Sequence, residues 1–333
     1  MSNSDVPTGL VRSTSRRLGP DGPEVGPLAL GMWRFTGTDI GQNAALIEAG
    51  LDLGMNLIDI ADVYGLDWGG TGFGSCEENL GAVLRARPEL RDRMVLATKG
   101  GIVPPVPYDS SAAALRSACT ASLARLGTDR IDLYQVHRPD MFTHPAEVAD
   151  TLDGLVADGL IGAVGVSNYT PAQSRALAAH LEAPLVSTQP EYSAACLDPL
   201  RDGTLDLCAE MGMVPLAWSP LAGGRLVAQR PSGGDPLVAQ GPQPSGQPLE
   251  HTDEAGGVRP DLLATLDRLA EREGVDRAAI CVAFVLAHPT APIAVVGTQQ
   301  PDRLEALQAA LGVQLDRGDV YDIIEASEGV PLP

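Results

Sequence analysis

Met94-Val95-Leu96-Ala97-Thr98-Lys99-Gly100-Gly101 is a strand-length apolar run that ends on the only lysine of the chain, against 22 arginines. Arginine keeps its charge in any protein, whereas lysine is a compact ammonium whose pKa moves when it is buried. A lone lysine at a strand end therefore points to chemistry. Working outward, runs of the same kind recur at 28–33, 56–61, 94–99, 131–137, 161–168, 185–192, 213–219 and 293–298. They are short and rich in Val, Ile and Leu, as strands buried on both faces are. Amphipathic stretches separate them, among them 111–126, 145–158 and 260–273. Thr170 before Pro171 reads as a helix cap with proline in the first turn. Eight strand–helix repeats predict an α/β chain folded as a (β/α)8 TIM barrel. An open, doubly wound sheet is the competing fold, but no Gly-rich turn follows the first strand.

Two segments stand outside the repeat. Residues 17–26 contain Gly-Pro-Asp-Gly between extended pieces and predict a hairpin capping the barrel floor. Residues 227–258, after the seventh barrel strand, form a long loop rich in Gly, Pro, Ser and Gln, read as a flap near the mouth. Residues 1–16 read as a flexible tail and 17–333 as a single barrel domain.

Composition narrows the function. A net charge of −20 over 333 residues disfavours phosphate-backbone binding and anionic membranes. No apolar run has transmembrane length, and the first twenty residues lack a secretory apolar core. Cys76, Cys119, Cys196, Cys208 and Cys281 are scattered, odd in number and without a C-x-x-C pair. A disulfide framework or metal site is not expected, and a cytoplasmic setting is.

In a parallel barrel, chemistry gathers where the strands end. Those ends carry Trp33, Asp59 with Tyr64 just beyond, Lys99, His137, Ser167-Asn168, Gln189 with Tyr192, Trp218-Ser219 and Gly297-Thr298. Asp59, Tyr64, Lys99 and His137 compose a proton-donating device. A nearby ammonium is expected to lower the Tyr64 pKa, with Asp59 keeping Lys99 charged and a neutral His137 orienting a carbonyl oxygen. The device lacks a metal or nucleophile, which calls for a hydride carrier such as a nicotinamide. Ser167, Asn168 and Gln189 have the mixed donors and acceptors to hold its carboxamide. Trp218 offers a stacking face, and the backbone of 219–224 offers room for a pyrophosphate.

These segments resemble the aldo/keto reductase superfamily: NLIDIADVYG, LATKGG, DLYQVHRPD, GVSNYTP, STQPEYS, AWSPLAGGRL and VVGTQQPDRLEA, in that order, from about residue 25 to about 315. The pattern is similar to bacterial members akin to the potassium-channel β-subunit branch. The resemblance implies NAD(P)H-dependent reduction of aldehydes or ketones to alcohols, with Tyr64 giving the proton and Asp59, Lys99 and His137 completing a tetrad. It further implies cofactor contacts at Gly31, Met32, Trp33, Asp59, Ser167, Asn168, Gln189, Trp218, Ser219, Pro220, Leu221, Gly223, Arg225, Gly297, Thr298, Gln300 and Arg303. Two departures bear on the cofactor. Gln299-Gln300 stands where the family often has a basic residue, leaving Arg303 for a 2′-phosphate. One charge-assisted contact is then lost, worth about 1.5–3 kcal/mol. Ala306-Leu307 stands where many members have Glu-Asn. NADPH is the expected cofactor, with NADH or dual use open.

Trp33, Tyr64, Trp68, Tyr108 and His137, with Phe35 and Phe73, are the expected lining of the substrate pocket, whose aromatic character favours apolar or aromatic carbonyl compounds. Two other functions use the same residues. One is a cofactor-binding redox sensor or regulatory subunit with slow turnover. The other is a Schiff-base aldolase with Lys99 as nucleophile.

Overall fold

All eight apolar runs fold as parallel strands, seven of them shorter than their sequence limits and the run at 94–99 shifted by one residue to Val95–Gly100. The computed structural model describes residues 9–67, 69–228 and 257–333. In chain order the elements are β1 (Arg16–Arg17), β2 (Glu24–Val25), β3 (Leu28–Gly31), α1 (Ile40–Asp52), β4 (Leu57–Asp59), α2 (Ser75–Ala86), β5 (Val95–Gly100) and α3 (Ala112–Leu126). There follow β6 (Leu133–Val136), α4 (Pro145–Ala157), β7 (Val164–Ser167), α5 (Pro171–Ala178), β8 (Leu185–Gln189), α6 (Asp198–Arg201), α7 (Thr204–Met211) and β9 (Val214–Trp218). The chain closes with α8 (Pro260–Glu273), α9 (Arg277–Leu286), β10 (Ile293–Val296), α10 (Pro301–Gln308) and α11 (Arg317–Glu328). Strands β3 to β10 close on themselves, β10 pairing with both β3 and β9.

Two apolar layers hold this together. Ala29, Leu57, Val95, Ala97, Leu133, Val214, Leu216, Ile293 and Val295 point into the barrel and fill it. The alternate residues, such as Leu30, Ile58, Leu96 and Tyr134, point outward and pack under the helices. The expected hairpin is present: β1 and β2 pair antiparallel, and Leu18 and Val25 insert into the interior cluster as a floor plug. The cap read at Thr170 forms, and a second stands at Ser111. Ser111 accepts from the Ala114 N–H, and Thr170 with Gln173 forms a capping box on α5.

Of the expected tail, residues 1–8 lie outside the described residues. Beyond them the chain runs along the barrel, with Leu10 N–H donating to Leu315 O at 2.8 Å and Arg12 N–H to Leu286 O at 2.9 Å. The expected flap at 227–258 lies almost wholly outside the described residues, as does Trp68. No helix among the described residues is long and apolar enough to cross a membrane.

Candidate active site

Strand alternation builds the site. Leu57, Ala97 and Leu133 face the interior, so Asp59, Lys99 and Gln135, two residues on, face it in the layer above. His137 continues the same phase beyond β6, and Trp218 follows Leu216 in β9. Strand β8 needs a correction of phase. Val164 pairs with Leu185 but Gly165 with Ser187, so Val186 is an extra residue. This bulge returns Gln189 to the interior. Close approach also dictates glycine here: a Cβ on Gly100, next to Lys99, would lie 2.1 Å from the Tyr134 hydroxyl.

Lys99 is fully buried. Its ammonium donates to Asp59 Oδ2 at 2.7 Å, to Ile60 O at 2.9 Å and to the Tyr64 hydroxyl at 3.2 Å. An ammonium has three N–H donors and no acceptor, so all three are spent. Tyr64 must therefore accept from Lys99, which leaves its own O–H proton to point elsewhere. Asp59 Oδ1 accepts from Gln189 Nε2 at 2.9 Å and Gln135 Nε2 at 3.2 Å, so both carboxylate oxygens are engaged. Tyr64 itself sits on the turn after β4, pinned by its N–H to Ala61 O at 3.2 Å and by Cys76 N–H to its carbonyl at 3.3 Å.

The electrostatics follow from burial and these contacts. Burial alone pulls the Lys99 pKa down, but Asp59 and Tyr64 together hold it above the ordinary value. A raised, fully bonded ammonium is the opposite of a Schiff-base nucleophile, which has to be neutral. Burial raises the Tyr64 pKa, and the pull of Lys99 in the other direction does not overcome it. The sequence expectation of a lowered value is thus corrected: desolvation of the phenolate outweighs one ammonium. Burial, with Lys99 and Arg138, drives His137 well below its usual range, so its ring is neutral at pH 7. His137 lies edge-on to Tyr64, with ring centroids 5.9 Å apart. Its Nδ1 is buried and without a partner, which leaves Nε2 as the nitrogen open to the mouth.

Next around the rim come the groups expected to hold a carboxamide. They are engaged with one another: Ser167 Oγ donates to Gln189 O at 2.9 Å, and Asn168 Nδ2 donates to Ser167 Oγ at 2.9 Å and His137 O at 3.2 Å. Trp218 Nε1 donates to Asn168 Oδ1 at 3.1 Å, which fixes the indole plane beside the mouth. Asn168, Ser219 and Ala222 adopt left-handed backbone, with φ of 58°, 52° and 50°. Such strain in residues with side chains clusters at functional sites. Gly223 and Gly224 follow at φ 67° and 99°, with open space where a side chain would stand. After β10, Gln300 N–H donates to Thr298 Oγ1 at 3.2 Å, and Arg303 is exposed in the first turn of α10.

Not every residue singled out in the sequence reaches the mouth. Phe35 and the Met32 side chain are fully buried in the outer core, and Tyr192 packs there against Phe284 with centroids 5.7 Å apart. Phe73 carries the Arg125 guanidinium over its ring at 5.8 Å. Trp33 and Tyr108 are half-buried. Conversely, sequence reasoning missed Gln135, whose interior phase was visible two residues before His137. It also missed a second buried network behind β5. Glu77, fully buried, accepts from Thr98 Oγ1 at 2.6 Å and Arg125 Nε at 2.7 Å. Beside it, burial and Glu77 raise the Asp62 carboxyl well above its usual range.

Comparison with known proteins accords with this geometry. The model of the aldo/keto reductase family matches residues 27–328. A 6-dehydroglucose reductase of Novosphingobium aromaticivorans is 43% identical over 332 residues, covering 99% of this chain and 100% of the relative. A 6-dehydroglucose reductase of Agrobacterium fabrum is 32% identical, over 92% of this chain and 95% of its own. Among solved structures, a glycerol dehydrogenase of Gluconobacter oxydans superposes with a TM-score of 0.79 at 28% identity, over 96% of this chain and 98% of that one.

Proposed function

This chain belongs to the aldo/keto reductase family, and on that premise we propose that it reduces an aldehyde of the 6-dehydroglucose type to the alcohol, with NADPH as cofactor, Tyr64 as proton donor and the cytoplasm as its setting. The observation that carries the reading is the saturation of Lys99. Its three donors end on Asp59, Ile60 and Tyr64, so the Tyr64 proton is the one left to give.

The residues act as follows. His137 stays neutral and donates from its ring to the carbonyl oxygen, which fixes the carbonyl beside Tyr64. The hydride to the carbonyl carbon would come from a nicotinamide held beside Trp218 by Ser167, Asn168 and Gln189. As the oxygen gains charge, Tyr64 passes its proton to it and is left as a phenolate. Lys99, 3.2 Å away, meets that charge with its ammonium, and Asp59 keeps the ammonium in place. The raised Tyr64 pKa keeps the donor protonated throughout the neutral range.

The chain also fits the cofactor. The strained, unobstructed loop at 219–224 would take a pyrophosphate on its backbone, and Trp218 would cover the ring. Ser167, Asn168 and Gln189 would exchange bonds among themselves for bonds to the carboxamide. Arg303, whose guanidinium makes no hydrogen bond or ion pair among the described residues, is the cation available to a 2′-phosphate. The preference for a sugar aldehyde replaces the apolar carbonyl expected from sequence, because Phe35 left the pocket for the core. Two relatives named for that activity support it.

The test is turnover of 6-dehydroglucose and hexanal by the purified chain with NADPH and with NADH. The reading expects a higher kcat/KM for 6-dehydroglucose, and with NADPH. Tight NADPH binding without reduction of 6-dehydroglucose refutes the substrate, and a preference for NADH refutes the cofactor assignment.

A further inference from the structure

Arg138 follows His137 directly and is half-buried at the barrel mouth. Other partly buried arginines of this chain are paired: Arg91 with Asp132 at 2.9 Å, Arg125 with Glu77 at 2.7 Å and Arg277 with Asp267 at 2.6 Å. Arg138 makes no hydrogen bond or ion pair among the described residues. A guanidinium has five N–H donors, and removing water from them without replacement is unfavourable. Such a group is kept where a ligand completes it.

A second charge without a side-chain partner among the described residues lies at the same end of the barrel. Glu191 lies two residues past Gln189, where the chain still pairs with Trp218. It is half-buried, and its carboxylate has no hydrogen-bond or ion-pair partner among the described residues. Burial raises its pKa, while Arg225 and Arg138 pull it down and Asp198 pushes it up. Arg138 and Glu191 thus feel one another without forming an ion pair. Asn168 stands between them: its N–H donates to Gln189 O at 3.1 Å and its Nδ2 to His137 O at 3.2 Å.

The chemistry that completes both groups at once is narrow. An apolar ligand leaves both stranded. A carboxylate satisfies Arg138 but is repelled by Glu191. A hydroxyl accepts from the guanidinium and donates to the carboxylate, and a row of hydroxyls does both without changing the net charge. We propose that Arg138 and Glu191 form the specificity site for the hydroxyl-bearing end of a neutral, polyhydroxylated aldehyde whose carbonyl lies at Tyr64 and His137. This inference rests on the reductase reading above and adds the residues that would select its substrate.

The experiment compares kcat/KM for 6-dehydroglucose, hexanal and succinic semialdehyde in the full chain, in Arg138→Met, in Arg138→Lys and in Glu191→Gln. Cofactor binding, followed by quenching of tryptophan fluorescence, checks that each variant is folded. The ratio of 6-dehydroglucose to hexanal is expected to fall about 10- to 100-fold in Arg138→Met, chiefly through KM. Glu191→Gln should lower it by about tenfold, and Arg138→Lys should recover part of the loss. A parallel fall for both substrates, with the ratio unchanged, overturns the inference and marks Arg138 as structural. Selective loss of succinic semialdehyde turnover also overturns it and marks a carboxylate site. If the unaltered chain does not reduce 6-dehydroglucose at all, the substrate reading itself has failed. If it does and the ratio holds in every variant, only this inference has.

Discussion

Lys99→Met removes one charge from a pair that the fold has taken out of water. Lys99 has no exposed surface and the Asp59 side chain is 3% exposed, with 2.7 Å between nitrogen and oxygen. Without the ammonium, Asp59 keeps only the two amide donors of Gln135 and Gln189. Breaking a buried pair in this way costs about 3–5 kcal/mol. The upper end is limited because a stranded carboxylate takes up a proton. From an ordinary Asp pKa of about 3.9, that costs about 4 kcal/mol at pH 7 and about 1.5 kcal/mol at pH 5. The sign is fixed: the folded variant binds a proton that its unfolded chain has lost, so its stability falls as pH rises from 4. Urea unfolding at pH 5 and pH 7 measures both values. Asp59→Asn added to Lys99→Met should remove the pH-dependent part of the loss. It should not restore turnover, because the cation beside Tyr64 stays absent. A loss of equal size at both pH values, or a double variant with the same pH slope as the single one, would refute the coupling of these two charges.

Two further predictions concern the chemistry. Tyr64→Phe keeps the ring but removes the proton, so single-turnover reduction should fall about 100-fold or more with little change in NADPH affinity. Since burial raises the Tyr64 pKa, reduction by the unaltered chain should stay level through neutral pH and decline only above 10; a decline near pH 8 would contradict that assignment. Gln300→Lys, at the start of α10, should shift the ratio of NADPH to NADH affinity toward NADPH by about tenfold, read by fluorescence titration. An unchanged ratio would put Gln300 outside the phosphate site.

The amino-acid order by itself determined the barrel and which polar side chains gather at its mouth. Alternation is a local property: once Leu57, Ala97 and Leu133 are assigned to the interior, Asp59, Lys99 and His137 must share the mouth. Caps such as Thr170 and the floor hairpin are legible for the same reason, since a few neighbouring residues decide them. What only the tertiary structure decided depends on contacts between distant segments. The bulge at Val186 turns Gln189 inward against the simple period, and the saturation of Lys99 joins two separate stretches of chain, 59–64 and β5. The direction of the Tyr64 pKa was misread in the sequence, because spacing reveals the nearby ammonium but not the loss of water that outweighs it. Phe35 and Tyr192 were placed at the mouth by type and went to the core by packing. Arg138 and Glu191 are ordinary charges in the sequence; that neither side chain has an ion-pair partner among the described residues is visible only in the tertiary structure.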